Sequence, residues 1–323
     1  MVSARITSLV AITVIGAAVA LTHVVPNGAP DARAPWCGTT DSPELVLSEV
    51  TRVPSIDGVP AGLVAIDSAS VWVLSQVDRR VRRVSTWNQS FLSGGPSDSG
   101  ISVVGAGRGR LLAIRDTTIL ALTPPGVRFE RIGSFSPRAG RPAGIAETAG
   151  QIWLVQWTDR VATLRALHVT AEGLAVQRDT VALQAWRGGA VSLHATAPNT
   201  LIAAAIRAPF ALQVLDSVGH IAARAAPFEV RGDSTVAEVS SATVVSLSAM
   251  PLDCGRILQV LADLRGDARH FIVFGDSPLR VVRRRRVETP IGIVQTFPAQ
   301  RLAIGYADVP SQSGVVIYRW RWN

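Results

Sequence analysis

The sequence predicts an all-β chain in which one strand-rich block is repeated around a ring. Three observations carry this prediction. A block of strand, polar turn, strand, polar turn and strand recurs six times, its copies starting about 38 to 54 residues apart. Within the blocks, apolar residues alternate with a period of two, as in strands with a buried face. Past residue 25 no segment sustains a helical period. Repeats of this length suit blades of antiparallel strands and are too long for short solenoid turns. The expected architecture is a six-bladed β-propeller.

Taken in chain order, the first strands are GLVAID (62–67), GISVVG (100–105), AGIAET (143–148), AVSLHA (190–195), VVSLSA (244–249) and IGIVQT (291–296). Second strands follow as VWVLSQ (71–76), RLLAIR (110–115), QIWLVQ (151–156), LIAAAIR (201–207), RILQVLAD (256–263) and RLAIGY (301–306). Third strands read VRRVS, ILALT, TLRALHVT, LQVLD, HFIVF and VVIYRW. Near-continuous apolar runs such as Val71-Trp72-Val73-Leu74 and Ile152-Trp153-Leu154-Val155 predict strands covered on both faces by neighbouring blades. Gly/Pro/Ser/Asp clusters at 93–98, 123–126, 187–189 and 276–278 punctuate them. Weaker fourth strands are expected at 128–132, 174–178 and 279–283. The sixth block reaches Asn323 after its third strand, and Glu44–Val50 carries the strand pattern to fill the fourth place. The last blade is therefore expected to be completed by an N-terminal strand, which covers two edges otherwise open to pairing.

The N-terminal segment reads as targeting. Arg5 supplies a positive start, Ile6–Leu21 is uncharged, and Ala18-Val19-Ala20 offers a small-residue cleavage site. Carried through Val25, the run is just long enough to span a bilayer, so a cleaved signal peptide and an uncleaved anchor both remain open. The expected organisation is a signal peptide or anchor over 1–25, a linker arm over 26–43 and the propeller over 44–323. Either way the chain is expected to be exported: periplasmic, extracellular or N-terminally membrane-anchored. Its two cysteines, Cys37 and Cys254, are expected to form one disulfide, two unpaired thiols being the alternative.

Composition bounds function more than it assigns it. With 48% hydrophobic and 17% charged residues, the chain is globular and not disordered. All 32 basic residues are Arg, and the net charge of +8 weakly favours acidic partners. The histidines, His23, His168, His194, His220 and His270, are scattered and suggest no metal cluster. Nucleic acid is not an expected partner, given export and the lack of aromatics interleaved with the basic residues.

The pattern GLVAID…VWVLSQ…VRRVS and its five weaker copies resemble the bacterial six-bladed propellers of the NHL/TolB-like type, over residues 44 to 323. The resemblance is one of fold. It implies an exported binding or assembly module, with sugar-lactone and strictosidine-synthase-like enzymes among the relatives. WD40 Gly-His and Trp-Asp signatures are missing from the repeats, as are kelch double-glycine blocks with regular spacing.

Propellers take ligands at the channel mouth, so the ends of the second strands supply the candidate ligand-binding residues: Gln76, Arg115, Gln156 with Trp157, Arg207, Asp263 and Tyr306. Convergent, they would offer guanidiniums, amides, an aromatic face and one carboxylate to an anionic or glycan-like ligand. Polar residues are also what turns ordinarily contain. Asp67 and Glu147 with Asn199 fall short of a hard-cation site, because the matching positions Gly105, Ala195, Ala249 and Thr296 are poor ligands. No metal and no cofactor are expected. No catalytic set stands out: there is no G-x-S-x-G and no H-E-x-x-H. His194, on a predicted inner strand, is either a channel-facing acid/base or a core histidine. The run Arg283–Arg286 is read as a solvated strand edge or an anionic-surface contact. Trp72 and Trp153 are expected as filler between blades, and Trp320 and Trp322 as packing between the first and last blades. The leading expectation is a non-enzymatic exported module for an envelope protein, peptide or glycan. A lactonase-like or other hydrolase at the channel mouth is the alternative.

Overall fold

The structure, a computed structural model, describes residues 44–323 apart from 55–60, 67–69, 86–89, 92–98, 108, 124–127, 138–139, 149, 158–161, 171–172, 183–190, 197–199, 206–209, 226–242, 276–278, 289–290 and 308–312. The segment 1–43, with Cys37 and the expected targeting sequence, lies outside these residues, as do Asp67, Asn199 and Arg207.

Six four-stranded antiparallel sheets follow one another along the chain. After β1 (Leu45–Pro54), blade 1 comprises β2 (Gly62–Ala65), β3 (Ser70–Leu74), β4 (Val81–Ser85) and β5 (Ser90–Phe91). Blade 2 comprises β6 (Ile101–Gly107), β7 (Arg110–Arg115), β8 (Thr118–Leu122) and β9 (Glu130–Ser134). Blade 3 comprises β10 (Arg141–Thr148), β11 (Gln151–Trp157), β12 (Ala162–Thr170) and β13 (Gly173–Ala182). Blade 4 comprises β14 (Val191–Thr196), β15 (Thr200–Ala205), β16 (Leu212–Leu215) and β17 (Ile221–Ala225). Blade 5 comprises β18 (Val244–Pro251), β19 (Ile257–Asp263), β20 (Arg269–Phe274) and β21 (Val281–Val287). Blade 6 holds β22 (Ile291–Phe297), β23 (Leu302–Ala307) and β24 (Gly314–Trp322), and its fourth strand is β1. The expected N-terminal closure is present: β1 pairs antiparallel with β24 from Leu45↔Trp322 to Pro54↔Gly314.

Period-two alternation explains why the sheets stack into a ring. On β11, Ile152 and Leu154 pack toward blade 2, while Trp153 and Val155 pack toward blade 4. Each blade therefore has two apolar faces, which is why its strands read as near-continuous hydrophobic runs. Six buried clusters result, one at each junction: blades 1–2, 2–3, 3–4, 4–5, 5–6 and 6–1. Trp72 fills the first junction and Trp153 the third, as expected from their matching positions. Trp320 differs from expectation. It packs between blades 5 and 6, where its indole and that of Trp322 donate to the Asp253 carboxylate at 3.3 and 2.7 Å. Arg301 Nε donates to the same carboxylate at 3.0 Å. The reason lies in the turn Asp253–Gly255, which projects from blade 5 to meet the end of β24.

Inner strands approach closely where glycine permits. A Cβ at Gly105 would overlap the Ile145 carbonyl oxygen, and one at Gly107 would overlap the Glu147 carboxylate. The space at Gly107 admits a buried ion pair. Arg110 Nε and Nη2 donate to Glu147 Oε2 and Oε1 at 2.8 and 2.7 Å, joining blade 2 to blade 3.

The arginine run on β21 is partly absorbed into closure. Arg285 Nη1 donates to Glu44 Oε1 at 2.7 Å, just before β1 begins, and Arg286 pairs with Glu288 at 2.8 Å.

Candidate binding face and channel

In every blade the end of the second strand is registered with the start of the inner one: Leu74 with Gly62, Arg115 with Ile101, Trp157 with Arg141, Ala205 with Val191, Asp263 with Val244, Ala307 with Ile291. Because the inner strands contact one another around the ring, these ends form one face. The candidate residues in the described part therefore do share a face, but their environments differ.

Gln76 is exposed in the turn after β3. Arg115 is half-buried at the end of β7. Asp263 holds its own hairpin: Oδ1 accepts from the Arg265 backbone N–H at 3.0 Å, and that bond keeps the carboxyl below the usual carboxylate range. Gln156 is fully buried, and its amide donates to the Ser136 and Gly140 carbonyls at 2.9 and 3.2 Å, tying down the segment that leads into β10. Trp157 packs its ring against the cluster between blades 3 and 4. Tyr306 is buried and lines the channel. Turn-holding and packing therefore occupy Gln156, Trp157 and Asp263, and of the described candidates Tyr306 alone borders the central cavity.

That cavity has a volume of about 510 Å³ and is walled by all six inner strands. Its lining ends at Val64, Ala106, Ala146, His194, Ala249 and Gln295, one or two residues short of the far ends of the inner strands. Four inner strands carry a register shift there, between Ile101 and Val103, Pro142 and Gly144, Ser246 and Ser248, and Ile293 and Gln295. The residue inside each shift, Ser102, Ala143, Leu247 or Val294, lines the cavity. Such bulges leave a residue out of the ladder and re-aim its neighbours.

His194 faces the channel, as one of its two sequence readings holds. Burial pushes its imidazole down to about 4, so the ring is neutral at pH 7. Across the lumen, Gln295 Nε2 lies 3.5 Å from His194 Nε2. Glu147 stands one residue beyond the lining of β10, both its oxygens engaged by Arg110. Among the described residues, no group of three or more His, Cys, Asp and Glu comes together.

Sequence reasoning missed Gln295, Ser248 and Ser102 because the bulges that aim them leave no mark on an alternating pattern. It missed two apolar side chains beyond the ends of the second strands: Val77, 82% exposed, and Leu264, 64% exposed. These break the polar-turn rule and are visible in the sequence.

The chain is a six-bladed β-propeller. No family model matches it, and no curated protein does. Solved structures match the fold. A structural genomics protein of unknown function from Bacteroides thetaiotaomicron VPI-5482 matches with a TM-score of 0.55 at 10% identity, over 86% of this chain and 76% of that one. The Myceliophteria thermophila Cps50 (Swd1) β-propeller domain matches with a TM-score of 0.51 at 11% identity, over 84% and 99%. The WD40 β-propeller domain of Doa1 matches with a TM-score of 0.50 at 13% identity, over 84% and 96%. At such identities the likeness is one of fold, and fold does not select function.

Proposed function

We propose that this chain is an exported binding or scaffold module that takes a protein, peptide or glycan of the cell envelope on the face where the second strands end. The observation that carries this reading is the pair Val77 and Leu264. Both stand exposed on loops between second and third strands, where ordinary turn chemistry places polar residues. Val77 on blade 1 and Leu264 on blade 5 are separate apolar points on this face, and Gln76 and Arg115 on blades 1 and 2 add polar contacts to it. Export rests on the N-terminal sequence pattern, which leaves cleavage and membrane anchoring as alternatives.

The Cys37–Cys254 bridge belongs to the same proposal. Trp322, paired with Leu45, bonds to Asp253 beside Cys254, which supports a bridge that the arm from 37 to 44 is long enough to span.

The test is affinity capture from envelope extract with the full chain, comparing Val77→Asp with Leu264→Asp against Val218→Asp. Val218 is 47% exposed on the Asp216–His220 turn at the opposite face, where third strands end, and serves as the control. A partner lost with the first two and kept with the third supports the reading. Equal capture by all three removes this face from it. Stoichiometric divalent cation without a partner would turn attention to hydrolysis at the channel mouth.

A further inference from the structure

The central cavity has chemistry that macromolecular docking on the surrounding face leaves unused. Its walls are small or aliphatic: Gly62, Gly105, Gly144 and Gly292 alternate with residues such as Val104 and Ile145. Two polar side chains meet at its inner end, His194 from blade 4 and Gln295 from blade 6, reaching across the lumen past blade 5. Their 3.5 Å separation is at the long limit of a hydrogen bond, so the pair yields readily to a better-placed partner. His194 is more than nine-tenths buried, and among the described residues no acidic side chain lines the cavity. Among the described lining residues Arg269 is the one charged side chain, and its Nη1 donates to the Gly266 and Ala268 carbonyls of its own hairpin at 3.4 and 3.1 Å.

We propose that this cavity is a small-molecule site for an uncharged, flat ligand bearing a donor and an acceptor side by side, an amide or lactam, seated on His194 and Gln295. One neutral imidazole and one carboxamide offer a donor and an acceptor each, complementary to an amide edge. The aliphatic walls accept the body of the ligand, and the volume lies within the range of small-molecule sites. An ionised group beside His194 and Gln295 would lose its hydration: a cation meets no carboxylate among the described lining residues, and an anion meets only Arg269, which the carbonyls of its own hairpin engage. The bulges beside Ser102 and Val294 bring peptide groups to the wall, which adds neutral hydrogen-bonding capacity and no charge. The site is distinct from the exposed side chains Val77 and Leu264, so either can fail without the other.

The experiment uses the full chain with its histidines labelled with ¹⁵N, and three isosteric probes: benzamide, benzoate and benzamidine. Imidazole signals are followed during titration. The expected result is a saturable benzamide shift confined to one histidine and missing in His194→Leu, with benzoate and benzamidine at least tenfold weaker. Gln295→Ala should weaken benzamide at least fivefold while the spectrum of the other histidines stays unchanged, which shows that the fold persists. No benzamide shift at His194 up to 20 mM would overturn the site. A preference for benzoate would place selectivity on Arg269 and overturn the ligand class, as would equal binding of all three probes. Capture of a macromolecular partner, measured separately with the aspartate variants, reports on the surrounding face alone.

Discussion

The Arg110–Glu147 pair gives a sharp test of how the blades hold together. Glu147 is 5% exposed on its side chain and Arg110 is 25% exposed, and two short bonds of 2.8 and 2.7 Å join them. Arg110→Ala removes the cation and leaves a carboxylate inside the seam between blades 2 and 3. Gly107 lies against that carboxylate, so the space for it to swing away is small. Removing one member of a buried pair costs about 3–5 kcal/mol, mostly the desolvation of the group left behind. For a domain of this size, that corresponds to a fall in Tm of roughly 5–9 °C. The double variant Arg110→Met with Glu147→Leu exchanges the pair for apolar side chains of similar bulk and should recover most of the loss. Thermal unfolding followed by circular dichroism at pH 7 reads both. A fall under about 2 °C for Arg110→Ala, or a double variant no better than the single, would refute the account of a buried inter-blade pair.

Four further outcomes follow from named groups. His194, held down at about 4 against 6.5 for a free imidazole, refuses a proton that the unfolded chain accepts. Stability is therefore full above pH 6.5 and falls as pH drops toward 4, by roughly 3 kcal/mol in total. His194→Gln should flatten that slope in melts between pH 7.5 and 4.5, and an unchanged slope would count against it. Asp253→Ala strips acceptors from Trp320, Trp322 and Arg301 and should cost about 2–3 kcal/mol by urea unfolding. Arg285→Ala, whose pair with Glu44 is 44% and 40% exposed, should cost under about 1 kcal/mol by the same measurement. Non-reducing peptide mapping of the exported protein should recover Cys37 joined to Cys254. Free thiols at both positions would remove the bridge.

The ring was legible in the sequence because period two and repeat length are properties of the chain itself. Every first, second and third strand falls within a few residues of its expected place, and β1 closes blade 6 as its alternation implied. Fourth strands were fainter, since they lie at the outside and bury less: β9 begins at Glu130 and β21 at Val281, each two residues beyond expectation. The site was less legible. Polar type at a strand end does not say whether a side chain faces water or its own turn. Gln156 and Asp263 turned inward for that reason, each completing a bend that backbone geometry requires. Gln295 became a channel residue through a register shift that only pairing reveals. Trp320 and Trp322 were read as packing side chains, but the acceptor that fixes their junction sits 67 and 69 residues away, beyond the reach of local pattern.

The pairing of β1 with β24 also sets a timetable. The strand synthesised first finds its partner roughly 270 residues later, when the closing one has been made. Blades 1 to 5 can assemble in order as they emerge, each from consecutive strands, while Leu45–Pro54 waits with both backbone edges open. Closure of the circle is thus the most non-local event in the chain and the natural slow step of its folding. Pairing with β24 closes the ring and leaves β1 as the outer strand of blade 6, with one of its two edges covered. An agent that binds Leu45–Pro54 early, or a peptide that mimics β24, would hold the molecule in its open form.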